Sequence, residues 1–179
     1  MVILKRLIRN YACLYPDESV PPKMLEYMKN SDCFSNDNYR GHFTGSAWVI
    51  SPNKEQILMN HHKNLGKWLQ LGGHADGEKD LLSVAVREAK EESGIQNFMV
   101  LSTEIFDVDI HEIPERKNQP AHRHYDVRFL LEADPHRNKI VISNESYDVA
   151  WVSPKVAAGL NPELSIQRMI QKTLLLKKN

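Results

Sequence analysis

Three glutamates, Glu88, Glu91 and Glu92, crowd one side of a segment with helical periodicity, Arg87-Glu-Ala-Lys-Glu-Glu-Ser-Gly-Ile95. At about 100° per residue they fall within about 100° of arc. Glu88 and Glu92 form an i, i+4 like-charge pair, which weakens an isolated helix by a few tenths of a kcal/mol, roughly 0.2–0.5. A hard divalent cation with oxygen ligands, Mg²⁺ or Mn²⁺, turns that repulsion into binding. The plainer alternative is a solvated face on which Arg87 and Glu91 make an ordinary i, i+4 pair. The flanks favour the cation. Gly72-Gly73 stands ahead of the helix, where backbone can approach a ligand closely, and Gly94 follows the last glutamate at the position of a helix stop. Glycine loop, carboxylate stripe and glycine stop together make a platform for metal and phosphate.

The elements that must position this platform follow from periodicity. The glutamate-bearing helix spans roughly Asp80 to Glu92, with Asp80 as N-cap and Leu82, Ala85, Val86 and Ala89 as its buried stripe. Trp68–Leu71 is a short strand that delivers the glycine loop. Before it, Gly45–Ile50 and Gln56–Asn60 alternate as strands around the turn Ser51–Glu55. Two long strands are expected at about Phe98–Glu112 and His124–Ala133, then Val149–Val152, and a last helix at about Glu163–Lys177. Residues 1–40 read as a helical extension, with one amphipathic segment at the start and another near Pro22–Asn30 entered through Pro21-Pro22. Residues 41–179 form the main domain. Strands interleaved with a few helices indicate an α/β fold, a mixed sheet covered by helices.

The run Gly73-x5-Lys79-x7-Arg87-Glu88-Ala89-x-Glu91-Glu92-x-Gly94-Ile95 resembles the signature of the Nudix hydrolases, Gly-x5-Glu-x7-Arg-Glu-U-x-Glu-Glu-x-Gly-U, where U is a bulky aliphatic residue. Six of its seven fixed positions match at the right spacing. Lys79 replaces the first glutamate, with Glu78 one residue early, and Ala89 is small for its position. The resemblance continues more thinly from about Phe43 to Ser153. It implies an α/β/α sandwich and hydrolysis of a diphosphate in a small nucleoside diphosphate linked to another group. It further implies that Glu88, Glu91 and Glu92, with the Gly72 carbonyl, hold Mg²⁺ or Mn²⁺. By the same resemblance, Arg87 orients a glutamate, and Gly73 and Gly94 shape the box. The general base is drawn either from the signature, as Glu88, or from a later loop, as Glu145 in Ser143–Ser146, with Glu92 counted beside them among the catalytic acids. In the family the missing glutamate supports the loop and pairs with the arginine, so Lys79 puts loop geometry and metal number in question.

Histidine is the second unusual feature. His74 adjoins the glycine loop, His111 ends one long strand, and His122 and His124 open the next. Alternation puts His122 and His124 on one side of an extended segment. Asp107, Asp109 and His111 share a parity too. If the two strands pair as a hairpin around Pro114–Pro120, the clusters meet near its loop end, where they could bind a second metal, move protons or grip phosphate. A solvated hairpin rim is the ordinary alternative. Gly73-His74 also resembles a step in the isopentenyl-diphosphate isomerases, which hold metal through histidines. That implies a second reaction class, proton transfer without hydrolysis. Those isomerases weaken the Arg-Glu-x-x-Glu-Glu run that is intact here, and Cys13 and Cys33 both precede the core. A third class, a non-catalytic nucleotide-sensing Nudix domain, is kept open by Lys79 and opposed by the three glutamates.

Composition limits the remaining classes. The chain of 179 residues carries 23 basic and 23 acidic residues, so no electrostatic footprint for nucleic acid is expected. No apolar run approaches membrane-span length, and the N-terminal apolar stretch is broken by Lys5, Arg6 and Arg9, which suits an amphipathic docking helix. Two cysteines in a chain of this size read as free thiols in a reducing cytoplasm. Tyr11, Tyr15, Tyr27 and Tyr39 could shape a pocket, a homodimer contact, or simple packing.

Overall fold

The computed structural model describes residues 1–115 and 120–177. Its elements run α1 (Val2–Leu14), α2 (Val20–Tyr27), β1 (Gly41–Ile50), β2 (Ile57–His62), β3 (Lys67–Leu69), β4 (Leu71–His74), α3 (Leu81–Ser93), β5 (Met99–Val100), β6 (Asp107–Ile113), β7 (His122–Glu132), β8 (Ser146–Val152), α4 (Pro154–Leu160) and α5 (Leu164–Leu176). The centre of the sheet is β1, buried at all ten positions, running parallel to β7 from Gly41↔Arg123 to Ile50↔Glu132. Every other pairing is antiparallel. The free edge of β1 is divided: Thr44–Ala47 pair with β4, and Val49–Ile50 pair with β2. That division splays β4 away from β2 and opens the sheet at one end.

Alternation along β1 sorts two cores. Phe43, Ala47 and Val49 join Leu58, Leu71, Val127, Phe129 and Leu131 beneath α1, α2 and α3. Trp48 and Ile50 join Ile57, Met59 and Leu130 beneath α4 and α5. The result is the mixed sheet between helical layers that the sequence leads one to expect. α1 places Leu4, Leu7, Ile8 and Tyr11 in the same core as the box helix, so its apolar stripe packs within this chain. No helix among the described residues is long and apolar enough to cross a membrane. Tyr27 stacks on Tyr125 with centroids 3.9 Å apart, Tyr11 is buried, and Tyr15 lies under the Lys172 ammonium; Tyr39 is exposed.

Three expected elements differ. The long strand at Phe98–Glu112 is broken into β5 and β6. Both lie on the same edge of β7, but a turn at Ser102–Glu104, where the Ser102 hydroxyl accepts from the Glu104 N–H, interrupts them. The second N-terminal helix begins and ends earlier than expected, at Val20 and Tyr27, with its two prolines in the first turn. α4 was not anticipated; its signal is Ser153-Pro154, a capping hydroxyl that accepts from the Val156 N–H followed by a proline at the first helical position. The tip of the β6–β7 connection, 116–119, lies outside the described residues.

Helices and sheet meet at Asp107, whose side chain is fully buried. It accepts from Arg168 (2.8 Å twice), Lys172 (2.8 Å) and Arg128 (3.2 Å). Burial alone would raise its carboxyl, but Arg168, Arg128 and Lys172 outweigh that and hold it below the usual carboxylate range. Removing one partner of such a group strands buried charge. Asp107→Asn is expected to destabilise the fold by about 3–5 kcal/mol at neutral pH, read from urea denaturation. Because the folded-state value is depressed, the contribution is present above the unfolded value of about 3.9 and is lost as pH falls through the folded one. The gap between wild type and variant should therefore narrow in acid.

Candidate active site

The box helix is α3, and its ends are those expected. Asp80 caps it, accepting from the Ser83 N–H and hydroxyl, and Gly94 stops it in the left-handed region with φ 72°. Its buried stripe is Leu81, Val84, Ala85 and Ala89, while Leu82 and Val86 are only partly covered. The helix is rotated from the expected stripe because it seats on Gly45 of β1. A Cβ there would press into the Leu81 carbonyl and the Val84 side chain.

This seat turns the three glutamates to different depths. Glu92 is 4% exposed and is gripped by neutral donors: Asn60 Nδ2 to Oε1 (2.6 Å) and the Gly72 N–H to Oε2 (2.8 Å). Burial pushes its carboxyl up to about 8, helped by Glu88 and Glu145 and opposed by the two hydrogen bonds. A divalent cation reverses that balance, so the donor set fits such an ion. Glu88 is part-buried, shares Arg87 Nη1 at 2.6 Å, and is also raised by burial against the pull of that arginine. Glu91 is the outermost, 3.5 Å from the same guanidinium. Arg87 Nη2 donates to the His74 carbonyl (3.0 Å), tying helix to loop. Glu78 does not take the place of the glutamate missing at position 79. Its carboxylate turns instead to the N–H groups of Lys79 and Asp80.

Gly72 and Gly73 run beneath these carboxylates. Gly72 has φ +154° and faces Ser46 across the β1–β4 pair, while a Cβ on Gly73 would collide with the Glu88 carboxylate. Glu145 lines the same opening, on a loop held by its carbonyl to the Lys63 N–H and by Lys63 Nζ to the Asn144 carbonyl. Glu88, Glu91, Glu92, Glu145, Gly72, Gly73, His74, His111 and His124 all line one cleft of about 560 Å³. His122 lies behind it, 5% exposed, and Gly94 sits away from it at the end of α3.

The hairpin pairing expected for the histidines is observed, with His111↔His124 and Ile113↔His122 in register. His111 binds Asp109 through Nδ1 (3.2 Å), and its ring lies 5.4 Å from that of His124. Asp107 does not join them, being committed to the buried ionic node. The imidazoles whose nitrogens converge are His42, His74, His122 and His124. Burial lowers His42 to about 4, with His74 and His122 adding to the effect. Burial also depresses His74 and, most strongly, His124, so these rings are neutral at pH 7.

Several site residues escaped sequence reasoning. Asn60 is a polar residue at a core-facing position of β2, and that mismatch is its signal. On β1, His42, Thr44 and Ser46 occupy alternate positions and form a buried polar stripe. Thr44 and Ser46 hydroxyls donate to Asp126 (2.9 and 2.7 Å), which also accepts from Gln70 and Arg128.

Residues 42–171 match the sequence model of the NUDIX domain. The chain belongs to the Nudix family. A probable DHNTP pyrophosphohydrolase of Lactococcus lactis subsp. cremoris is 31% identical over 91 residues, 50% of this chain and 54% of that protein. The chain therefore spans about half the length of this curated relative. The E. coli dihydroneopterin triphosphate pyrophosphohydrolase structure is similar, with a TM-score of 0.57 at 18% identity, covering 75% of this Nudix chain and 95% of that one. A Nudix-family hydrolase from Clostridium perfringens gives 0.54 at 23% identity, covering 75% and 97%. These structures share the fold.

Because a side chain on Gly73 meets only the flexible end of Glu88, the backbone should survive its addition while the carboxylate is displaced. Gly73→Ala is expected to weaken Mn²⁺ binding at least about 10-fold by calorimetric titration, with its urea midpoint close to wild type.

Proposed function

We propose that this Nudix protein is a divalent-metal-dependent pyrophosphohydrolase that cleaves the diphosphate bond of a nucleoside diphosphate linked to another group. The observation that carries this reading is the meeting of Glu88, Glu91 and Glu92 with the Gly72–Gly73 loop and Glu145 in one cleft. Glu88, Glu91, Glu92 and the Gly72 carbonyl would hold Mg²⁺ or Mn²⁺. When bound, such an ion neutralises phosphoryl oxygens and lowers the pKa of coordinated water.

The chain's own groups do the remaining work. Asn60 and the Gly72 N–H fix the Glu92 carboxylate, and Arg87 fixes Glu88 while binding the loop at the His74 carbonyl. Glu88 and Glu145 are the two acceptors for the proton of the attacking water, with Glu92 as a third acid in the box. Either proton acceptor must reach that water within hydrogen-bond distance. Dihydroneopterin triphosphate enters the substrate panel because the L. lactis relative is named for it.

The isomerase reading lacks a cysteine at the cleft, since Cys13 is exposed on α1 and Cys33 is buried in the helical core. The sensor reading keeps the pocket but not turnover.

A panel of nucleoside diphosphate sugars, dinucleoside polyphosphates, nucleoside triphosphates, dihydroneopterin triphosphate and isopentenyl diphosphate, each with Mg²⁺ or Mn²⁺, tests the proposal. Metal-dependent cleavage is expected, read as a nucleoside monophosphate plus the phosphorylated remainder of the substrate (pyrophosphate where the substrate is a triphosphate), falling to background in Glu92→Gln. A loss of roughly 10²–10⁴-fold in kcat with metal binding retained in Glu145→Gln would mark Glu145 as the proton acceptor. Near wild-type kcat in Glu145→Gln, with Glu88→Gln losing both turnover and Mn²⁺ affinity, would mark Glu88. Isomerised isopentenyl diphosphate with its diphosphate intact would replace hydrolysis by the isomerase. Binding without turnover across the panel would leave the sensor.

A further inference from the structure

His42, at the start of β1, has no exposed surface, and neither ring nitrogen has a hydrogen-bond partner. The Asn38 backbone acts on it as a weak hydrogen-bond acceptor and raises its pKa, but meets hydrogen-bond geometry at neither ring nitrogen. A buried imidazole without partners is costly, and native interiors keep such groups only where something satisfies them. Around it stand three more imidazoles. His42 lies opposite His124 in the parallel β1–β7 register, His122 is two residues back on the same face of β7, and His74 ends β4 opposite Thr44. One nitrogen from each of the four lies within 4.8 Å of the others.

The contacts among them are not those of a satisfied hydrogen-bond network. His122 Nδ1 donates to the Pro120 carbonyl (2.9 Å), the contact that in the Nδ1–H tautomer leaves Nε2 with a lone pair. His124 Nε2 lies 3.2 Å from His122 Nε2 and 3.3 Å from His74 Nε2. One proton on His124 serves one of these contacts and leaves the other without a match. Zinc–imidazole bonds of about 2.0–2.1 Å in a tetrahedron set nitrogen–nitrogen edges of roughly 3.3–3.4 Å, close to both separations. The bond from His122 to Pro120 is the arrangement by which a ligating imidazole is usually oriented, its far N–H held by a carbonyl.

We propose that His42, His74, His122 and His124 bind one four-coordinate divalent transition ion of the Zn²⁺ class. Imidazole nitrogens suit such an ion and are poor partners for Mg²⁺, so the site is chemically separate from the glutamate seat. Four protein ligands fill a tetrahedron and leave no open position, which makes the ion structural. It fastens the ends of β1, β4 and β7 together and holds His74, whose carbonyl anchors Arg87. The proposal goes beyond the hydrolase reading and stands whether or not the cleft cleaves diphosphates.

Chelator-stripped full-length protein titrated with Co²⁺, then with Zn²⁺, tests it. One equivalent of Co²⁺ is expected to give the strong visible d–d bands of four-coordinate cobalt, displaced by one equivalent of Zn²⁺. Zn²⁺ should raise the thermal midpoint of wild type and not of His122→Ala. His122→Ala and His42→Gln should lose the bands and bind Zn²⁺ more than about 100-fold more weakly, beyond the loss expected for an outer-shell contact. His122→Cys should restore binding and add a thiolate-to-cobalt charge-transfer band. Glu91→Gln should keep the bands whatever it does to hydrolysis, which separates the two sites. Circular dichroism of each variant establishes that it is folded, and the wild-type titration decides the matter if a variant is not. A pale six-coordinate spectrum, no stoichiometric binding by wild type, or bands that persist in folded His122→Ala and His42→Gln would overturn the proposal.

Discussion

Ten consecutive residues of β1 run parallel to β7 in one unbroken register, and the site depends on that pairing. It sets His42 beside His124, Thr44 beside Asp126, and Ser46 beside Arg128. A slip of one residue would exchange the faces of the whole strand, bringing Phe43 and Ala47 to the polar side and His42, Thr44 and Ser46 into the apolar core. Parallel pairing between segments roughly eighty residues apart has no local turn to hold it. What holds it here is side-chain sorting: apolar groups on one face throughout, polar groups on the other at the cleft end, and Trp48 and Ile50 on that face at the far end.

The polar half of this arrangement is continuous with the helices. Arg128, 3% exposed at its side chain, joins Asp126 at 2.7 Å to Asp107 at 3.2 Å. Asp126 faces the cleft through Thr44, Ser46 and Gln70, while Asp107 receives Arg168 and Lys172 from α5, with the Tyr11 hydroxyl of α1 at 3.3 Å. Burying so many charges is tolerable only because each carboxylate has a cation and each cation several acceptors. The terminal helices thereby share one ionic network with the floor of the site, as well as an apolar core.

The cleft itself is a consequence of divided pairing. β4 takes the near half of β1 and β2 takes the far half, so the glycine loop leaves the sheet where α3 crosses it. Glycine is required on both sides of this crossing: Gly45 lets the helix sit down, and Gly73 lets Glu88 lie over the loop. Close approach then buries Glu92 between Asn60 and Gly72. A carboxylate that local sequence places on a helix surface becomes, in the folded chain, the deepest of the three glutamates.

Sequence alone determined the chemistry-bearing helix. Spacing put Glu88, Glu91 and Glu92 on one side, Asp80 and Gly94 marked its ends, and alternation put His122 and His124 together, because these are relations among near neighbours in the chain. The broad architecture was legible for the same reason, since periods of 2 and 3.6 residues are local signals. Tertiary structure decided what no local period encodes. It placed α3 on Gly45, so that Leu81 and Val84 were buried where Leu82 and Val86 were expected, and it broke the strand before β6 where β7 offered two separate stretches of edge. It brought Asn60 to Glu92, and it chose His42 over His111 as the fourth imidazole whose nitrogen converges on the others. Those outcomes rest on contacts between residues tens of positions apart, and the registers of β1 against β7, β4 and β2 set which of them meet.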